Sequence, residues 1–346
     1  MPTPACPPLR IVVFGAGSIG CYVGGRLAAA GGEVHFVGRQ TMGDVLCRHG
    51  LSLTDLHGTQ QQVAADDIRF STDLRTLADA DLVLVCVKSG GTAAAAAEIA
   101  GHLCESAVVL SLQNGLHNAD ELRARLPQHA VLTGMVPFNV VNRGEGRFHR
   151  GSAGEPAVER HALLAPFRAL FARAGLPLDE HDDMPAVLWA KLLLNLNNAV
   201  NALSGLPLKT ELSQRDFRRC LALAQREALD LLAVARQPLA RLTPLPPHWI
   251  PALLTVPDPL FRLLANRMLA IDPLARSSMW EDLQAGRRTE IDWINGEVLQ
   301  LARSLGRSAP VNARLIALIR AAEQGGRRDF GGAELLNELR SAVAGN

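Results

Sequence analysis

Lysine is almost absent from this 346-residue chain: of 35 basic residues only Lys88, Lys191 and Lys209 are lysines, and the other 32 are arginines. The three are either chance survivors of a biased composition or positions where arginine will not serve, because a guanidinium does not give up its proton in a protein. Other absences narrow the class. There is no basic run interleaved with aromatics and the net charge is +1, which excludes nucleic acid as the main partner, since phosphate binding needs clustered cations. Met1 to Pro8 has no charged start, and no apolar run is long enough for a signal or a membrane span, so a cytoplasmic protein with no membrane partner is expected. The six cysteines (Cys6, Cys21, Cys47, Cys86, Cys104, Cys220) form no C-x-x-C pair, and His35, His102 and His181 have no ligand spacing. Reduced thiols and no metal are expected.

A length of 346 residues predicts two domains rather than one core. The first begins with an apolar β-type run, Ile11-Val12-Val13-Phe14, followed by Gly15-Ala16-Gly17-Ser18-Ile19-Gly20. An alanine-rich helical pattern then runs from Ile19 to about Ala30, Gly31-Gly32 stops it, and Val34 to Val37 reads as a second strand. Strand, glycine turn, helix and strand in this order form a dinucleotide-binding unit. Further buried strands are expected at Leu82 to Val87, Val108 to Leu112 and Val131 to Val136, with Thr92 to Leu103 as a crossover helix.

The turn from Gly15 through Ala16, Gly17, Ser18, Ile19 and Gly20 is the expected cofactor cradle. Gly15 permits the tight bend, Gly17 removes a side chain where a pyrophosphate approaches, and Gly20 lets the helix pack on the strand. The helix N-terminus adds amide hydrogens and a positive dipole end. At the close of the second strand, Val37-Gly38-Arg39-Gln40 offers no carboxylate for a ribose hydroxyl but does offer a guanidinium for a 2′-phosphate, which favours NADP(H). Lys88 and Asn114 follow strands at their carboxyl ends, the ligand edge of a doubly wound sheet. Their alternative is ordinary turn chemistry.

After about Asp182 strand-like runs cease, and helical periodicity appears at Leu188 to Leu203, Phe217 to Val234, Met279 to Leu305 and Asn312 to Glu323. The expectation is an α/β Rossmann-type domain over 9–182, an all-α domain over 183–325, and a mobile Gly/Arg-rich tail over 326–346. The proline-interrupted stretch Pro238 to Pro273 predicts short helices and loops. Lys191, Asn195 and Asn198 lie at offsets that share one face of a leucine-rich helix. A lysine among apolar residues is desolvated, so its pKa falls toward the range of a general acid; a snorkelling lysine is the alternative. Ser278 and Glu290, in Ser277-Ser278-Met279 and Thr289-Glu290-Ile291-Asp292, supply a hydroxyl and a carboxylate that serve equally as helix-capping groups.

These motifs, in this order and with Asn295-Gly296 and Pro310-Val311-Asn312, make the chain resemble the 2-dehydropantoate 2-reductase (ketopantoate reductase) family over almost its whole length. The resemblance implies a 6-phosphogluconate-dehydrogenase-like helical second domain, and hydride transfer from NADPH to the C2 carbonyl of ketopantoate on the way to pantothenate and coenzyme A. It implies Lys191 as general acid and Glu290 as the partner of that lysine or of the cofactor ribose. Asn195, Asn198 and Ser278 become substrate contacts, Asn114 bridges cofactor and substrate, and the domains close to exclude water. A monomer or homodimer acting on a small 2-oxo acid is expected. Two features depart from the family pattern: Ala199 stands where a second asparagine is common, with Asn198 one residue early, and the Pro238 to Pro273 stretch is long. These leave room for a reductase of another 2-oxo or β-keto acid. A non-catalytic NADP-binding sensor is the reading from a different class.

Overall fold

The computed structural model describes residues 9–264 and 275–344. Met1 to Pro8, with Cys6, and the end of the proline-rich stretch at 265–273 lie outside the described residues. The chain divides into two compact units between Met184 and Pro185.

In the first unit, β1 (Arg10–Phe14) leads into α1 (Ser18–Ala29), β2 (Glu33–Val37) and α2 (Gln40–His49). There follow β3 (Leu51–Asp55), β4 (Gln60–Val63), β5 (Arg69–Ser71), β6 (Leu82–Val85), α3 (Thr92–Ala100), β7 (Val108–Ser111), α4 (Asn118–Arg125) and β8 (Ala130–Met135). The unit ends with β9 (Val140–Asn142), β10 (Arg147–Arg150), β11 (Ala157–Glu159), α5 (Ala165–Arg173) and β12 (Asp179–His181). The main sheet runs β12-β11-β8-β7-β6-β1-β2-β5. Its six strands from β8 to β5 are parallel, in the 3-2-1-4-5-6 order of a doubly wound fold whose order reverses beside β1. Alternation along β1 feeds two cores: Ile11 and Val13 pack with Tyr22, Leu27 and Phe171, and Val12 and Phe14 with Ala95, Ala96 and Leu122.

A second sheet, β4-β3-β10-β9, lies against α1 and was not expected from the sequence. Its strands are short, and Gln60-Gln61-Gln62 shows no apolar run; the inward set is Leu51, Leu53, Val63, Val140 and Phe148. Helix α1 fits between the sheets because adjacent glycines face opposite ways. A Cβ on Gly24 would come within 2.6 Å of the Phe36 ring, and one on Gly25 within 2.9 Å of Leu51 and Leu53.

The second unit contains helices alone among the described residues. They are α6 (Met184–Asn195), α7 (Asn197–Ser204), α8 (Leu208–Leu212), α9 (Arg215–Val234), α10 (Ile250–Leu254), α11 (Asp258–Leu264), α12 (Ser278–Gln284), α13 (Ile291–Ser304), α14 (Pro310–Glu323) and α15 (Gly332–Ala344). The Glu227 carboxylate on α9 accepts from the backbone N–H groups of Val311 and Asn312 at 2.9 Å each, so α14 starts on α9. Among the described residues no helix is long and apolar enough to cross a membrane.

Three sequence expectations are corrected. The helix read over Leu188 to Leu203 is broken by a turn at Leu196. The pattern over Met279 to Leu305 is two helices, because Gly286 at φ +62° ends the first turn of chain beyond α12 and residues 285–290 leave the helix. The tail over 326–346 is not a mobile segment where it is described. Phe330 N–H donates to the Leu203 carbonyl at 2.9 Å, Arg327 pairs with Asp329 and Glu334, and α15 packs on α9 and α14 with Leu335, Leu336 and Leu339 buried. The Gly/Arg composition of 325–332 concealed an amphipathic helix behind it. Leu335→Ala is expected to cost about 2–5 kcal/mol in urea unfolding, as for a buried leucine; a loss within the roughly 0.5 kcal/mol of a surface site would restore the mobile tail.

Candidate active site

Along the carboxyl edge of the parallel sheet, four neighbouring strands present the residues picked out for cofactor binding. After β1, Gly15 turns at φ +102° with its N–H donating to Val37 O at 2.9 Å. A Cβ on it would lie 2.7 Å from the Val87 nitrogen, and one on Gly20 2.2 Å from the Gly15 carbonyl oxygen. Gly17 is the opposite case: a Cβ there meets nothing within 4 Å, so its small size keeps open space rather than permitting contact. No side chain caps α1, which leaves the first-turn amides of Ser18 and Ile19 for an anion. Ala16 is buried against Gly38.

Arg39, the cap residue before α2 and two residues past the end of β2, is exposed and forms no ion pair among the described residues. That suits a ligand phosphate, in a chain whose arginines are commonly matched to carboxylates. Lys88, exposed, precedes the short helical turn Ser89–Gly91 after β6, and half-buried Asn114 follows β7. These two loops are tied together by a buried polar network. Ser89 Oγ donates to Asn114 O at 2.6 Å, and Asn118 Nδ2 donates to the same carbonyl. Thr92 Oγ1 donates to Asn118 Oδ1 at 2.8 Å and accepts from Gln113 Nε2 at 2.7 Å, while Ser111 Oγ donates to Gln113 Oε1 at 3.0 Å. Sequence reasoning missed Ser89, Thr92 and Asn118. The available signal was a polar first residue on each helix, Thr92 of α3 and Asn118 of α4, directly after a strand-end loop.

In the second unit, Lys191, Leu194, Asn195 and Asn198 are the half-exposed positions of an otherwise buried stretch from Ala190 to Val200. Although the Lys191 residue as a whole is half-buried, desolvation of its ammonium brings the pKa down to about 8. Ser277, not Ser278, is the cap of α12: its Oγ accepts from Trp280 N–H at 3.2 Å. Ser278 is the first residue of the helix and is exposed. Ser277 also joins α12 to α7, donating from Oγ to Asn198 O at 3.2 Å and from its backbone N–H to Asn201 Oδ1 at 2.9 Å. Glu290 is buried and occupies the cap position of α13. Beside it, Thr289 donates from N–H and Oγ1 to Glu323 at 2.7 and 2.8 Å, and one turn into α13, Asn295 Nδ2 donates to Asn312 Oδ1 at 3.0 Å.

A glycine turn at the switch point of a doubly wound sheet, followed by a helical unit bearing a desolvated lysine, defines a dinucleotide-dependent oxidoreductase. The family models for "Ketopantoate reductase PanE/ApbA" and its C-terminal domain match residues 11–161 and 183–323, and the chain belongs to that family. It is 30% identical over 330 residues to a 2-dehydropantoate 2-reductase of Halobacterium salinarum, covering 92% of this chain and 100% of that one. The crystal structure of a PanE/ApbA family ketopantoate reductase from Ralstonia eutropha JMP134 superposes with a TM-score of 0.77 at 32% identity, covering 92% and 99% of the two chains. A D-mandelate dehydrogenase bound to NADH and anilino(oxo)acetate shares the fold, with a TM-score of 0.74 at 20% identity over 92% and 99%.

Asn118 reaches both strand-end loops, so Asn118→Leu removes the donors that hold the Asn114 carbonyl and Ser89. Loss of one or two such bonds predicts NADPH binding weakened roughly 2- to 10-fold, read by titrating nucleotide fluorescence; unchanged affinity would confine the network to folding.

Proposed function

We propose that this protein is an NADPH-dependent 2-dehydropantoate 2-reductase, which converts ketopantoate to pantoate in the route to pantothenate. The observation that carries the reading is Lys191, one of only three lysines, with its pKa lowered to about 8 by desolvation, on α6 with Asn195 and just ahead of half-exposed Asn198 on α7. When bound, the reduced nicotinamide supplies the hydride to C2 of the 2-oxo acid.

The chain's own residues hold the reactants and move the proton. The first-turn amides of α1, with Gly15, Ala16, Gly17 and Gly20 clearing the approach, hold the pyrophosphate; Arg39 takes the 2′-phosphate and Lys88 the neighbouring phosphate or ribose. Asn114 hydrogen-bonds between nicotinamide and substrate. As the C2–O π pair withdraws onto oxygen, Lys191 Nζ gives that oxygen its proton, and the lysine is left neutral until water restores it. A donor with a pKa near the working pH both carries the proton and releases it readily. The Glu290 carboxylate receives the ammonium and fixes its direction, and Asn195, Asn198 and Ser278 bind the substrate's carboxylate and hydroxyl. A sensor without turnover has no use for an ammonium held out of water at such cost.

A second reading, reduction of another 2-oxo acid, is favoured by one observation: Ala199, at the place of a common family asparagine, is fully buried and has no polar side-chain group to offer a substrate. Reductases of one fold differ in their sites. Oxidation of NADPH and NADH by the purified protein is therefore to be followed with ketopantoate and a panel of other 2-oxo acids. Ketopantoate with NADPH is expected to give the highest kcat/KM, and turnover of the others without ketopantoate gives the second reading.

Lys191→Ala is expected to keep NADPH affinity and lose on the order of 10² or more in kcat. Because the lysine is charged below its pKa of about 8 and reduction consumes the proton it carries, kcat/KM for reduction should be level below about pH 8 and fall tenfold per pH unit above it. Turnover unchanged in the variant would remove Lys191 from the mechanism.

A further inference from the structure

Glu211, on α8, is a fully buried carboxyl that the reaction does not use. Asn197 Nδ2 donates to its Oε2 at 3.0 Å. The two remaining oxygens, Glu211 Oε1 and Asn197 Oδ1, are both buried and accept no hydrogen bond of proper geometry among the described residues; Asn201, the other amide near the carboxyl, donates its Nδ2 to the Leu206 carbonyl at 3.0 Å instead. A carboxylate and an amide oxygen can only accept, so an ionised Glu211 leaves two buried acceptors unmatched, at the cost of an unpaired buried polar group for each. One proton on Oε1 removes both faults, because the acid hydroxyl is the donor that Asn197 Oδ1 lacks.

We propose that Glu211 is held as a protonated acid, closed in a pair of hydrogen bonds with the Asn197 carboxamide, and that this pair positions Asn198 and the start of α12 for the substrate. The positioning half rests on the reading of Asn198 and Ser278 as substrate contacts.

The surroundings agree. The titratable and charged groups that reach Glu211, Arg218 and Cys220, both lie on α9. Arg218 is engaged elsewhere: it meets Asp258 at 2.9 Å and donates to the carbonyls of Leu212, Leu254 and Val256. Burial pushes the Cys220 thiol up, so it stays neutral. Burial also raises the Glu211 carboxyl to about 8, against the opposing pull of Asn197, Asn201 and Arg218.

The pair sits in a polar seam that joins three helices. Asn197 is the first residue of α7. Its neighbour Asn198 receives Ser277 Oγ, and Asn201 Oδ1 receives the Ser277 N–H. Ser277 in turn caps the helix that opens with Ser278. A displaced Asn197 therefore moves the backbone of Asn198 and, through Ser277, the first turn of α12.

Glu211→Gln is the test, because a second amide keeps both hydrogen bonds without any proton to lose. A folded pKa above the ordinary value of 4.5 means that the folded state holds one proton more than the unfolded one between that value and about pH 8. The stabilisation is whole below the lower value and is lost as pH rises to the upper. Thermal melts of the full chain should then show a Tm advantage for E211Q that grows from about pH 5 to about pH 8 and is level above. An E211Q that melts below wild type by a constant margin over this range means an ionised Glu211 and overturns the pair.

For the positioning role, the wild-type KM for the 2-oxo acid should exceed that of E211Q by roughly 2- to 10-fold at about pH 9, the worth of one hydrogen bond, with equal KM for NADPH. Equal KM for the 2-oxo acid at every pH overturns that role. The melts need no substrate, so a wild type that reduces no 2-oxo acid defeats the reductase reading while the protonated pair is still decided.

Discussion

The approach of α1 to the backbone around it is closer than any side chain allows, and the first unit is arranged around that approach. With a Cβ at Gly20 2.2 Å from the Gly15 carbonyl and one at Gly15 2.7 Å from the Val87 nitrogen, the helix can begin only where β1 ends and β6 passes beside it. That point is the reversal of strand order, so the uncapped helix N-terminus opens on the ligand edge. Arg39, Lys88 and Asn114 join it there through strand order, not nearness in sequence. The same helix continues between two sheets, and Arg26 is buried as a result. It is matched by Tyr22 Oη, which accepts at 2.9 Å, and by Asp55 at 3.6 Å, partners that a buried guanidinium requires.

The second unit depends on desolvation instead. Lys191 and Glu211 are ionisable groups set in apolar helices, and burial drives each toward its neutral form, one pKa falling and the other rising. The consequences differ with the partners. A half-exposed lysine with its pKa near 8 exchanges protons within the working range, whereas a carboxyl wholly inside the unit, with a complementary amide beside it, is a structural donor. Arginine in place of Lys191 would keep the charge and lose the proton transfer. On the proposed role of Lys191 as proton donor, the rarity of lysine in so arginine-rich a chain coincides with a chemical requirement at this position.

What could be read from the sequence was local. The glycine turn, the apolar strands and the helical periodicity after Asp182 are short-range patterns; the observed strands follow them to within a few residues, while two of the helical stretches are broken, at Leu196 and after Gln284. The small sheet was not readable, because β4 is Gln60–Val63 and its single buried side chain shows no alternation without knowledge of α1 beneath it. Helix α15 lay behind Arg327 and the glycines that resemble a linker, although its leucines carry a helical spacing. For the candidate site, residue types that carry chemistry were legible. The groups that hold them were not, since Thr92 reaches Gln113 and Asn118, and Glu211 reaches Asn197, over separations that only the fold closes.

The Asn197-Asn198 doublet shows how the family pattern and this chain's departure from it can be reconciled. At 100° per residue, a position seven residues past Lys191 falls about 20° from it around a helix and a position eight past falls about 80° away. The turn at Leu196 adjusts these angles, but the burial follows the same order: Asn198 is half-exposed with Lys191 and Asn195, while Ala199 is sealed in the core. The polar side chain of the doublet on the lysine's side is thus Asn198, one residue before the place the family pattern gives it. Asn197, turned inward by that shift, meets the Glu211 carboxyl, so one asparagine of the doublet faces solvent on the lysine's side and the other fixes the helix that carries it.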